Sequence, residues 1–168
     1  MVITKKYQDI KPVLMDTKAP RVKEPYFVID AGHQSIFVLA SGQNGVEYNK
    51  TEGFVSSYNE VGTFQCLYGQ GAILMQRNDE EGEAKEFKVL TLNPGRQFLV
   101  PAGWAMCLVN IGKNLLVVLA NLDINSKYLD SKPIIEKRGL AYFVVEKKGE
   151  IAFEQNLNYT VHPQITTE

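Results

Sequence analysis

The chain has 168 residues, a formal net charge of −1 and a sequence pI of about 6.2. That length favours one domain whose core needs no disulfide staples, and 45% hydrophobic with 22% charged residues is an ordinary globular balance. There is no basic excess or stripe, which argues against a nucleic-acid partner. The two cysteines, Cys66 and Cys107, cannot make a disulfide framework. No signal-like stretch or apolar run of membrane-spanning length stands out, so no membrane partner and a cytoplasmic address are expected.

Along the chain, Tyr7 to Asp16 has room for a short helix, limited by Pro12. The dominant signal then begins: short runs rich in Val, Phe, Tyr, Ile and Leu, separated by turn residues. The runs are Tyr26 to Asp30, Ser35 to Ala40, Val46 to Lys50, Thr63 to Tyr68, Ala72 to Gln76, Lys85 to Leu90, Gln97 to Val100, Ala105 to Asn110, Asn114 to Leu122, Leu140 to Glu146 and Ile151 to Glu154. Most are too short for helices, and their regular spacing predicts an all-β sandwich or barrel. Ser126 to Arg138 reads as a loop with at most one helical turn, broken by Pro133. Thr160 to Glu168 reads as a polar, frayed tail. The expected organisation is an N-terminal extension over 1–22, a barrel over 23–159 and the tail over 160–168.

The stretch from Gly95 to Asn110 carries the most information. Gly95 after Pro94 suits a tight turn of positive φ, Pro101 and Gly103 turn the chain between two strands, and Asn110 begins the next turn. By strand alternation Met106 and Leu108 share one face, and Cys107 and Val109 the other. The pattern Gly, five residues, Pro, one, Gly, two, a variable position, three, Asn resembles the second signature of the cupin superfamily. Met106 stands where that signature has a metal-binding His.

The surrounding residues narrow the resemblance. Val100-Pro101-Ala102-Gly103-Trp104-Ala105, Val109-Asn110-Ile111-Gly112, Glu136-Lys137-Arg138-Gly139 and the hairpin Phe143 to Glu150 are similar to the cupin-type, archaeal kind of glucose-6-phosphate isomerase. The likeness runs from about Gly45 to Tyr159. It implies a single double-stranded β-helix, a jelly-roll-like cupin barrel. It also implies a homodimer, a sugar-phosphate ligand, a divalent metal and proton transfer between an aldose and a ketose phosphate.

The metal set implied by the family is two histidines and a glutamate from the first signature plus the histidine of the second. Thr51-Glu52-Gly53 matches the lead into the first signature. Alignment from that side puts Phe54 and Ser56 at the histidine positions; alignment from Gly69 puts Gly53 and Val55 there and Gly62 at the glutamate position. Neither register supplies an imidazole. Phenyl, hydroxyl, hydrogen and thioether do not replace a set of imidazoles and a carboxylate for a borderline divalent cation. No cofactor is therefore expected, and isomerase activity is expected to be weak or absent.

Candidate site residues remain. Glu60 could serve as a base, and Tyr128 stands near the position of a family tyrosine beside the substrate. Thr51 and Gly53 match a loop that holds phosphate through backbone donors in the family, and Trp104 offers a ring at the barrel rim. Each also has a plain reading: Glu60 as a solvated loop carboxylate, Thr51-Glu52-Gly53 as a turn, Trp104 and Met106 as packing, His33 and His162 as loop histidines, and both cysteines as small apolar fillers. The alternatives to an active isomerase are a non-catalytic cupin that binds a phosphorylated sugar or other small ligand and a structural dimeric scaffold.

Overall fold

The computed structural model describes residues 1–57 and 61–168. Two six-stranded sheets face each other and a four-stranded sheet closes one flank. The first sheet runs in the order β1 (Val2–Lys5), β2 (Tyr26–Asp30), β3 (Ser35–Leu39), β12 (Leu116–Ala120), β7 (Gly62–Tyr68) and β10 (Gln97–Val100). The second runs β13 (Leu129–Asp130), β6 (Phe54–Ser56), β11 (Ala105–Asn110), β8 (Gly71–Asn78), β9 (Ala84–Leu92) and β16 (Ile165–Thr167). The third holds β15 (Glu150–Gln155), β14 (Tyr142–Lys147), β5 (Glu47–Tyr48) and β4 (Gln43–Asn44). This is the expected all-β cupin barrel.

The burial patterns explain why the sheets sit as they do. In the first sheet β10 and β12 alternate between buried and more exposed residues, the signature of a sheet covered on one face. In the second, β11 is buried at every position and β8 at all but its last two. Those strands are covered twice: by the first sheet on one face, and on the other by Val13, Ile134, Leu140, Phe143 and Val144. Phe37, Phe64, Phe87, Leu39, Ile73, Leu92, Leu108 and Leu116 form the deepest part of the core. Each such side chain contributes roughly 1.5–3 kcal/mol through burial.

Several expectations need correction. Residues 1–22 are no appendage: β1 pairs with β2 along its whole length, and Tyr7, Ile10, Val13 and Leu14 enter the core. The helix expected between Tyr7 and Asp16 is a single turn, α1 (Tyr7–Ile10), followed by a 3-10 turn at Lys11–Val13 that accommodates Pro12. The tail is held, not frayed, because β16 pairs in parallel with β9, with Ile165 opposite Phe87. Pro133 does not break the later turn but opens it, in the first turn of α2 (Lys132–Glu136). A proline there forfeits only an N–H that would have no helical acceptor.

Candidate functional site

The ladder that builds the site is the pairing of β11 with the segment from Asn49 to Ser56. At one end Asn49 accepts from the Asn110 N–H at 2.9 Å and the Thr51 N–H donates to Leu108 at 2.9 Å. At the other end Phe54 lies opposite Met106 and Val55 opposite Ala105. Gly53 makes the close approach possible. Its φ is 82°, and a Cβ there would come within 2.7 Å of the Met106 carbonyl oxygen. The Ser131 hydroxyl donates to the Gly53 carbonyl at 2.6 Å and ties the start of α2 to this strand.

Between the two large sheets this arrangement leaves a cavity of about 300 Å³. Of the two alignments, the one from Thr51 has its histidine positions in this lining. Phe54 and Ser56 both line it, together with Gly62 and Met106, whereas Gly53 and Val55 do not. Four positions that the resemblance assigns to metal ligands under one alignment or the other thus share one space. What they present is a phenyl ring, a hydroxyl, a bare glycine and a thioether. Among the described residues no group of three or more His, Cys, Asp or Glu side chains is placed to share a metal ion. That donor set does not fit a borderline divalent cation.

The remaining lining divides by depth. Phe54, Phe64, Val100 and Met106 are buried and form the floor. His33, Asn121, Asp123 and Tyr128 are exposed and form the mouth, with Ser126 and Leu122 half-buried between them. Two loops supply the mouth: the bend between β2 and β3, and the segment after β12. That segment is shaped by its own side chains, since Asp123 accepts from the Asn125 N–H at 2.9 Å and the Ser126 hydroxyl accepts from the Tyr128 N–H at 3.2 Å. The Ser57 N–H donates to the Tyr128 carbonyl at 2.9 Å, so the stretch leading into β13 runs beside β6.

Of the residues singled out from sequence, Trp104 and Tyr128 line the cavity, as do Met106 and Gly62. Thr51 does not. Its side chain is buried in the ladder, where the hydroxyl accepts from the Leu108 N–H at 3.1 Å and sits 3.8 Å from Cys107 Sγ. Gly53 serves backbone packing. Glu60 lies outside the described residues. His33, read as a turn histidine, is in a bend and also faces the cavity mouth. Sequence reading missed Asn121, Asp123 and Ser126, whose only signal was that turn residues follow a strand.

The opposite face of β11 has a different character. Cys107 and Val109 border a void of about 10 Å³, near the size of one water, together with Glu47, Lys50 and the residues under α2 and β14. The Lys50 ammonium pairs with Glu47 at 2.7 Å and donates to the Val13 carbonyl at 2.6 Å, with both side chains almost wholly buried. Glu47 also accepts from the Met15 N–H at 2.9 Å. Burial pushes the Cys107 thiol up to about 11 even though Lys50 and Thr51 pull the other way. The thiol is therefore protonated and inert at neutral pH.

Comparison with known proteins places the chain in context. The model of the family described as glucose-6-phosphate isomerase (GPI) matches residues 27–162. The glucose-6-phosphate isomerase of Pyrococcus furiosus is 32% identical over 120 residues, covering 71% of this chain and 60% of that protein, so the chain spans less than two thirds of that relative's length. Among solved structures, a putative sugar phosphate isomerase from Acidithiobacillus ferrooxidans superposes with a TM-score of 0.42 at 17% identity, covering 83% of this chain and 81% of the other. Bacillus subtilis oxalate decarboxylase gives 0.44 at 16%, covering 65% and 29%.

Proposed function

This chain belongs to the glucose-6-phosphate isomerase family, and we propose that within it the chain is a member without a divalent metal, whose barrel keeps a small-molecule site and whose isomerase turnover is weak or absent. Moving a proton between the first two carbons of a sugar phosphate needs a base, and it needs a charged or hydrogen-bonding group for the enediolate oxygen. A bound divalent cation would supply the second role as a Lewis acid. The observation that supports the reading is the convergence of Phe54, Ser56, Gly62 and Met106 on one cavity of about 300 Å³. Space remains, at the low end of what small ligands occupy, while the cation-holding groups do not.

The test is a coupled assay converting fructose 6-phosphate, run with the protein as purified and after addition of Mn²⁺, Fe²⁺ or Zn²⁺, alongside metal analysis. The expected result is no turnover above the blank in any arm and no stoichiometric transition metal. Metal-stimulated turnover overturns the reading. Metal-free turnover abolished by Glu60→Gln or Tyr128→Phe would instead favour catalysis by side chains alone.

The same reading includes a homodimer and a cytoplasmic address. Phe27, Ile29, Ile36, Val117 and Leu119 stand side by side across the register on the outer face of the first sheet, and each is only half-buried in the single chain. A second copy covering that face would remove apolar area from water. Among the described residues no helix is long and apolar enough to cross a membrane, and both cysteines are free. Light scattering that returns a monomer mass would remove the dimer from the proposal.

A further inference from the structure

The chemistry of the cavity wall restricts what can enter it. The floor is hydrocarbon, ring and thioether: Phe54, Phe64 and Met106 are 9%, 1% and 1% exposed. The polar groups stand at the mouth, where His33, Asp123 and Ser126 face the same opening. No lysine or arginine lines the cavity among the described residues. Residues 58–60, which lie next to the lining residue Val61 in the chain, are Tyr, Asn and Glu and carry no cation either. The Lys88 ammonium lies 5.2 Å from the centre of the Trp104 ring, and that of Lys127 lies 5.3 Å from the centre of the Tyr128 ring. Both rest on lining rings without themselves lining the space.

A phosphate dianion entering such a cavity would lose water without gaining a charged partner, while Asp123 at the mouth opposes it. The Thr51 hydroxyl, which the family resemblance places in a phosphate loop, is already bonded to the Leu108 N–H. An apolar body is the better match for the floor, because covering Phe54, Phe64 and Met106 removes hydrocarbon from water on both partners. A hydroxyl or amide at the other end of the ligand would meet donors and acceptors at the mouth. We infer that the cavity takes an uncharged amphipathic small molecule, with its hydrocarbon or aromatic body on the Phe54–Phe64–Met106 floor and its hydrogen-bonding head at the His33–Asp123 mouth, in place of a sugar phosphate. This rests on the reading above that the cavity is a ligand site.

Methyl-labelled methionine gives a reporter inside the site, because Met106 is one of four methionines and its signal is identified by its loss in Met106→Leu. The full chain is titrated separately with benzyl alcohol, phenyl β-glucoside, glucose 6-phosphate and inorganic phosphate. The expected result is a saturable shift of the Met106 methyl with a neutral probe, at millimolar concentration or below, and none with either phosphate at tenfold higher concentration. Leu122→Trp, which brings an indole into the space from its half-buried edge, should weaken the neutral probe at least tenfold. Tighter binding of glucose 6-phosphate than of the neutral probes, seen at Met106, overturns the ligand class and leaves the cavity a ligand site. No shift with any probe overturns both. Equal shifts of all four methionines, or unchanged binding in folded Leu122→Trp, overturn the assigned location.

Discussion

The two faces of β11 are both closed to solvent, yet they solve opposite problems. Met106 looks into a cavity of about 300 Å³ whose floor is hydrocarbon. Cys107, the next residue, looks into a void of about 10 Å³ bordered by an ion pair. The charged chemistry sits where nothing larger than a water fits, and the room for a ligand sits where charge is missing from the floor. On the closed face, Lys50 also donates to the Val13 carbonyl and Glu47 also accepts from the Met15 N–H, both in the N-terminal segment. The pair therefore acts as a fastener between that segment and the barrel. A buried charge need not mark a functional site; the usable space and the partners of the charge decide.

The largest expected effect breaks that fastener. Lys50→Ala leaves the Glu47 carboxylate buried without its cation, which should cost about 3–5 kcal/mol. Chemical denaturation should show the midpoint fall without a loss of strand content in the surviving folded state. The double variant Lys50→Met with Glu47→Leu should lose much less than Lys50→Ala, because replacing both charges with apolar groups removes the desolvation cost together with the attraction. A double variant as unstable as Lys50→Ala would mean that the bonds to Val13 and Met15, and not the unpaired charge, dominate.

The next effect is a dependence on alkaline pH. The folded Cys107 thiol is held up to about 11, whereas an unfolded thiol ionises near about 8.5. The folded state thus binds this proton more tightly. The contribution is fully present below about pH 8.5 and is lost as pH rises through about 11. At roughly 1.4 kcal/mol per unit, the loss is a few kcal/mol at most. Stability measured from pH 7 to 10.5 should fall more steeply for the natural chain than for Cys107→Ala. Parallel curves would show that the thiol is better hydrated than its burial implies. Native-state alkylation at pH 8 should leave Cys107 unmodified.

The sequence made the barrel legible because its central strands carry their own punctuation. Tyr26–Asp30, Gln97–Val100 and Ala105–Asn110 have the boundaries that apolar runs between turns suggest. Elements defined by their partners were not legible. Val2–Lys5 and Ile165–Thr167 are short edge strands whose pairing is a tertiary event, and Phe54–Ser56 is too short to show a period. The site was half legible. The motif around Gly95 to Asn110 located Met106 and Trp104, whereas the mouth at His33, Asn121 and Asp123 is assembled from loops distant in the chain. Thr51 shows the limit of a motif: its hydroxyl turns into the ladder instead of the cavity.

The smallest expected effect tests the comparison on the strand itself, by enlarging one residue on each face. Cys107→Leu adds volume where about 10 Å³ is free, so neighbours must move and the cost should be about 1–3 kcal/mol. Met106→Phe is also a substitution at a buried position, 1% exposed in the folded chain, but it borders the large cavity. The ring can extend into that space next to Phe54, so the change should stay within roughly 1 kcal/mol. The same variant should weaken the binding of any ligand that rests on the floor, because it fills part of the volume. Equal destabilisation by the two substitutions would mean that the cavity closes up in solution and that the two faces are equally packed. A near-silent Met106→Phe beside a costly Cys107→Leu would establish that the space is a standing feature of the fold, which any ligand reading of this barrel requires.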